Sequence, residues 1–148
     1  MSARRRQGGC SCGALRYEMT GEFGPIWNCH CPFCRRIHGA AFTTVGLMAR
    51  DAFRWTSTSE EPSTFETPMH SIRHFCGKCA TPICNFPNEP SLLCLVVSSL
   101  DDDLDQSPWA HVNLENKAKW FQIEDDIPQY DEYPDLETLG KMSEEHSR

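Results

Sequence analysis

Three short cysteine clusters dominate the chemistry available to this chain: Cys10-Ser11-Cys12-Gly13, Cys29-His30-Cys31-Pro32-Phe33-Cys34 and Cys76-Gly77-Lys78-Cys79. Zinc takes about four soft or borderline ligands, with sulfur at roughly 2.3 Å. A two-residue gap between cysteines lets the backbone turn tightly and aim both sulfurs inward. A one-residue gap puts both side chains on the same side of an extended segment. Gly13 and Gly77 permit tight backbone paths beside such a metal. The pattern therefore points to zinc.

Seven of the nine cysteines lie in these clusters. Seven thiolates complete one four-ligand site and leave three donors for another. Structural zinc sites are closed, whereas catalytic ones commonly keep three protein ligands and an open position. Spacing alone leaves open which cysteines share an ion. Cys31 and Cys34 with Cys76 and Cys79 would also make an ordinary zinc ribbon, stranding Cys10 and Cys12. Of the remaining thiols, Cys94 sits in an apolar run and reads as core. Cys84 reads as a buried thiol in preference to an additional ligand.

Other polar residues near the clusters have plainer readings. Strand alternation turns His30 away from the side to which Cys29 and Cys31 point. His38 reads as a turn-end residue. Arg35 and Arg36 could fork onto a carboxylate, or could simply be solvated charge.

The elements that must position these residues are short and mostly β. Leu15, Tyr17 and Met19 alternate with Arg16 and Glu18, the period of a half-buried strand. Residues 42–48, 53–56, 72–75, 109–114 and 120–123 suggest further strands. The nearly continuous apolar run 92–97 suggests a strand covered on both faces. Pro32 opens a helical turn through Arg36 that ends near Gly39. Leu136, Leu139 and Met142 form the stripe of a weak C-terminal helix. Trp109, Trp120 and Phe121 read as core aromatics.

The chain has 148 residues, 39% of them hydrophobic, with ten prolines and nine glycines. It is expected to be one zinc-binding domain over 1–148, with its core in about 8–134 and flexible ends at 1–7 and 140–148. The formal charge is −7, with acids concentrated in the second half. That balance disfavours a phosphate backbone and hence nucleic-acid binding. Arg4 to Arg6 read as a solvated tail, and Asp101 to Asp105 as a solvated loop. No apolar run approaches the roughly 18 residues of a membrane span, and no apolar signal core follows the basic N-terminus. The expected compartment is the reducing cytoplasm, where clustered thiols bind metal and do not form disulfides.

The segment Gly8-Gly9-Cys10-Ser11-Cys12-Gly13-Ala14-Leu15-Arg16-Tyr17 resembles the opening of the glutathione-dependent formaldehyde-activating enzyme family, which also includes centromere protein V. The resemblance continues through Cys29 to Arg36, Gly39 to Phe42, Phe75 to Cys79, His111-Val112, Lys117 to Phe121 and Asp125 to Tyr130. It covers about 8–134 in consistent order. Ala80 departs from it, standing where the family usually has glycine.

What the resemblance implies is specific. The fold is a Mss4-like β-tent of short antiparallel strands stapled by zinc. Two Zn²⁺ are expected per chain: a structural one on Cys10, Cys12, Cys76 and Cys79, and an open, catalytic one on Cys29, Cys31 and Cys34. The activity implied is that of a carbon–sulfur lyase acting on a thiol/aldehyde adduct, with glutathione as substrate or co-substrate. Arg35 and Arg36 are then candidate glutathione contacts. The competing expectation is a non-enzymatic zinc scaffold that binds a protein partner.

Overall fold

Short alternating runs broken by glycine and proline give ten strands and two helices in the computed structural model, which describes residues 2–147. The strands are β1 (Arg5–Gly9), β2 (Arg16–Thr20), β3 (Ile26–Cys29), β4 (Thr43–Ala49), β5 (Phe53–Trp55), β6 (Ser63–Glu66), β7 (Ile72–Phe75), β8 (Pro82–Phe86), β9 (Leu92–Val96) and β10 (Ala110–Val112). The helices are α1 (Pro32–His38) and α2 (Leu136–His146). The mostly β expectation holds, and the arrangement is consistent with a Mss4-like β fold.

The chain divides into two units, and β4 carries it across the boundary between them. The first comprises the chain up to Phe23 together with Gly46–Asp105; the second comprises Gly24–Val45 and the chain from Gln106 onward.

In the first unit β1, β2 and β5 form an antiparallel sheet in the order β1-β2-β5. Strands β9, β8, β7 and β6 are successive neighbours, also antiparallel where the register is defined. Leu15, Tyr17, Met19, Ile83, Leu93 and Leu95 are essentially solvent-free. Burial of side chains this large contributes roughly 1.5–3 kcal/mol each. Gly8 lies against the Tyr17 hydroxyl and the carbonyl of Ser99, so close that no Cβ fits there. That approach lets Tyr17 Oη and Ser99 Oγ hydrogen-bond at 2.8 Å beneath the sheet.

Several expectations are corrected in this unit. Arg4 to Arg6 are not a solvated tail, because β1 begins at Arg5 and Arg6 is buried. Arg6 donates to the carbonyl of Gly21 and packs over Phe23. The acidic run is tied down as well: Arg16 pairs with Asp101, and Arg4 with Asp105 at 2.7 Å. Glu18, expected to face solvent, is buried and takes two hydrogen bonds from Arg54. In β9, Leu93 and Leu95 are buried while Leu92 and Cys94 are half-covered, so the run is not sealed on both faces.

In the second unit β10 lies parallel to β3, pairing Ala110 with Trp27, His111 with Asn28 and Val112 with Cys29. This parallel pair departs from the all-antiparallel expectation. Residues 120–123 form no strand, and Trp120 is 73% exposed, outside the core. Trp109 is buried as expected. Asp135 caps α2 by accepting from the backbone N–H of Thr138. The helix buries Met142 and continues past Gly140 to His146. No helix among the described residues is long and apolar enough to cross a membrane.

Candidate metal centres

Two turns of the first unit bring four sulfurs together. Cys10 follows β1 in a turn closed by Gly13 N–H donating to the Cys10 carbonyl, with Gly13 in the left-handed region at φ 80°. Cys76 follows β7 in a turn one residue longer, closed by Ala80 N–H donating to the Cys76 carbonyl. The sulfurs of Cys10, Cys12, Cys76 and Cys79 all lie within 4.8 Å of one another. Cys10 and Cys12 are 3.6 Å apart, and Cys12 and Cys76 3.8 Å. Backbone N–H groups of Leu15 and Lys78 donate to the sulfurs of Cys10 and Cys76. Thr81 joins the two turns, its Oγ1 accepting from Ser11 N–H and lying 3.1 Å from Cys79 Sγ. Hydrogen bonds from the side chain and then the backbone of Thr81 hold the Cys79 thiol down at about 5, within reach of the thiolate form.

Ala80 acquires a physical meaning here. It sits in the left-handed region at φ 63°, where a Cβ costs roughly 1–2 kcal/mol relative to glycine. The turn that frames the four-thiol group therefore holds a strained residue where the resembled family prefers an unstrained one.

The second unit assembles the other group locally. Cys29 ends β3, Cys31 is the N-cap of α1, and Cys34 lies in its first turn. Pro32 at the helix start needs no hydrogen-bond partner for its nitrogen, and Cys34 N–H donates to Cys31 Sγ. Gly39 closes the helix at φ 59°. The three sulfurs lie within 4.8 Å of one another. Cys29 and Cys34 are buried, whereas Cys31 is partly exposed. Hydrogen bonding to Cys29 and Cys31, then burial, pushes the Cys34 thiol far up. Hydrogen bonding to Cys31 likewise raises Cys29. Three thiolates this close repel one another, and a divalent cation removes that penalty by deprotonating them together. Both donor sets fit zinc by type and convergence.

The sequence-derived candidates thus fall into two separate groups, four sulfurs and three. Arg35 donates to the carbonyl of Asn116 at 2.6 Å, and Arg36 is exposed. Cys84 is buried on β8, its thiol raised by burial, and it belongs to neither group. His30 is outside the ligand group too. Its ring is fully buried, with Nε2 2.8 Å from Nδ1 of His111. Nε2 of His111 in turn faces both carboxylate oxygens of Asp125, at 3.1 and 3.2 Å. Phe42 and Phe121 flank His30 with ring centroids 5.0 and 6.3 Å away.

Sequence reasoning missed His111, Asp125 and Asn113 as participants. The amide of Asn113 donates to Cys29 Sγ at 3.3 Å. The available signals were His111 and Asp125 lying in segments that carry the family resemblance, and a histidine and an asparagine flanking Val112 inside a short apolar strand candidate.

Comparison with known proteins agrees with this geometry. The profile of the family described as "glutathione-dependent formaldehyde-activating enzyme" matches residues 5–116. A Halomonas elongata protein, provisionally named a glutathione-dependent formaldehyde-activating enzyme, is 30% identical over 126 residues, spanning 80% of each chain. A crystal structure of a Rhodobacter sphaeroides protein superimposes with a TM-score of 0.56 at 20% identity, covering 67% of this chain and 91% of that one. That structural likeness concerns the fold alone. The family match spans most of the chain and includes all seven clustered cysteines: this protein belongs to the glutathione-dependent formaldehyde-activating enzyme family.

Proposed function

We propose that the chain is a zinc-dependent enzyme of the carbon–sulfur lyase type, acting on adducts of glutathione or a similar thiol such as S-hydroxymethylglutathione. One observation carries this reading. The sulfurs of Cys29, Cys31 and Cys34 converge without a fourth donor grouped with them among the described residues, whereas the other group has four. Four thiols close a structural site; three leave a position for substrate. On this reading Cys10, Cys12, Cys76 and Cys79 hold a structural zinc, and Cys29, Cys31 and Cys34 hold the reactive one.

A zinc ion held by Cys29, Cys31 and Cys34 would supply Lewis acidity that favours the thiolate form of a substrate thiol. In the synthetic direction a carbon–sulfur bond forms at the aldehyde carbon, and the carbonyl oxygen accepts a proton. In reverse the hydroxyl loses that proton, the carbonyl re-forms, and sulfur leaves with the bonding pair. The protein's own groups orient the partners. Partly exposed Cys31 marks the accessible side. Arg35, fixed by the Asn116 carbonyl, and exposed Arg36 offer guanidinium N–H groups to glutathione carboxylates. Phe42 and Phe121 pack round the fully buried ring of His30. A reducing, thiol-rich compartment such as the cytoplasm suits this chemistry.

Metal analysis together with the spectrum of cobalt-substituted protein tests the assignment. Two metals per chain are expected, with bands that change as glutathione is added, and formaldehyde release from S-hydroxymethylglutathione is expected to depend on Cys31. An unchanged spectrum at millimolar glutathione would sink direct thiol ligation and leave the zinc scaffold as the better account.

A further inference from the structure

Asn113 stands out because its conformation and its hydrogen bond have separate explanations. Its backbone is left-handed, at φ 60° and ψ 39°, a region that asparagine tolerates better than most residues. It begins a 3-10 turn, Leu114–Asn116, yet its side chain makes no capping hydrogen bond to that turn. The backbone needs of the segment are met otherwise: Asn113 N–H donates to the carbonyl of Glu132, and Asn116 N–H donates to the carbonyl of Asn113. The carboxamide is thereby released from local work. The β3–β10 register places Val112 opposite Cys29, so the next residue can reach back toward that cysteine. Its Nδ2 donates to Cys29 Sγ at 3.3 Å.

We propose that Asn113 is a positioning residue of the three-thiol centre, whose amide N–H draws electron density from the Cys29 sulfur and fixes its direction. This inference rests on the reading of Cys29, Cys31 and Cys34 as the reactive zinc site. A buried thiolate ligand donates strongly to its metal, and three of them make the ion a poor Lewis acid. A hydrogen bond to one sulfur takes part of that donation away. The ion then binds an incoming thiolate more tightly. Asn113 touches neither substrate nor metal on this account; it acts through Cys29.

Two substitutions separate this role from the backbone one. Asn113→Gly keeps the left-handed turn accessible and removes the amide. Asn113→Asp keeps the size and the tolerance of that turn but replaces the donor with a negative acceptor. Both are studied as cobalt-substituted full-length protein, first without added thiol and then titrated with glutathione. The sulfur-to-cobalt charge-transfer bands of the three-thiol centre are expected to move to lower energy in both variants, while those of the four-thiol centre stay put. Glutathione affinity is expected to fall by about 10–100-fold in Asn113→Gly, the usual range for groups that support metal ligands, and by more in Asn113→Asp. Bands unchanged in both variants would overturn the proposal and leave Asn113 a turn residue only. The thiol-free bands also separate the two readings. If they shift on substitution but wild-type protein ignores glutathione, the thiol-ligation function fails while the Asn113–Cys29 interaction stands. If wild-type protein takes up a single cobalt, held by four cysteines, both fail together.

Discussion

The two cysteine groups are made from the same donor atom but reach their geometry by opposite routes. The four-thiol group joins turns that lie far apart in the chain, with Cys12 and Cys76 separated by 64 residues. The three-thiol group is folded locally at the junction of β3 and α1, within six consecutive residues. A cross-link that closes a long loop removes much more entropy from the unfolded chain than one that closes a short loop. The local group also has backbone support of its own, since His30 N–H donates to the Val112 carbonyl and Gly39 closes the helix. One centre can therefore hold the fold together, while the other can be tuned without endangering it.

The comparison breaks most visibly on single ligand substitutions. Structural zinc contributes apparent binding energies of about 10–16 kcal/mol in small metal-dependent folds, comparable to the whole stability of a typical domain. Cys76→Ser is therefore expected to abolish the cooperative unfolding transition seen by circular dichroism. Cys31→Ser is expected to keep that transition and to lose only the zinc proposed for the Cys29 group. Similar loss of folding in the two variants would contradict the division between them.

A smaller effect tests what frames the three-thiol group in place of zinc. Nε2 of His111 faces Asp125, and its Nδ1 shares a hydrogen bond with Nε2 of the fully buried His30. His111→Phe leaves the buried Nε2 of His30 without that partner, at a cost of about 1–3 kcal/mol. The urea midpoint is expected to fall accordingly, and zinc at the proposed Cys29 site to be lost to a chelator faster than in wild type. An unchanged midpoint with normal zinc retention would show that the histidine pair contributes nothing to the site.

What could be read in advance divides along the same line. Cysteine spacing announced metal, and local signals placed α1 between Pro32 and Gly39 almost residue for residue. Alternation found β2, and the apolar run found β9. The contents of β1, β3, β6 and β8 were not legible: β1 is Arg-Arg-Gln-Gly-Gly, which has no apolar period, and its burial depends on Tyr17 and Ser99 meeting Gly8. The parallel pairing of β3 with β10 was equally hidden, because pairing partners distant in sequence leave no local trace. That pairing delivers His111 to His30 and Asn113 to Cys29. Trp120 misled for a related reason: an aromatic is the usual core residue, but no element covers it, and it remains exposed.

The mildest test concerns the frame of the four-thiol group. Glu18 on β2 is 7% exposed at its side chain and bonded to Arg54 at 2.9 Å, with Arg5 at 3.7 Å. Hydrogen bonding from Arg54 holds its carboxyl below the usual range. A carboxylate whose folded pKa is depressed adds stability that is present above its unfolded pKa of about 4.3. That stability fades as pH falls through the lower, folded value. Wild-type protein is thus expected to lose more stability than Glu18→Gln when pH drops from about 6 to below 4, the difference being read from urea midpoints at each pH. Arg54 is largely solvent-exposed, so salt should shrink the difference by screening. The cobalt bands of the Cys29 group should not respond to Glu18→Gln at neutral pH. If they did, the frames of the two centres would be coupled, and the proposed separation between a centre that holds the fold and one that does chemistry would give way. Equal acid sensitivity in the two proteins would instead remove Glu18 from the groups that stabilise the first unit.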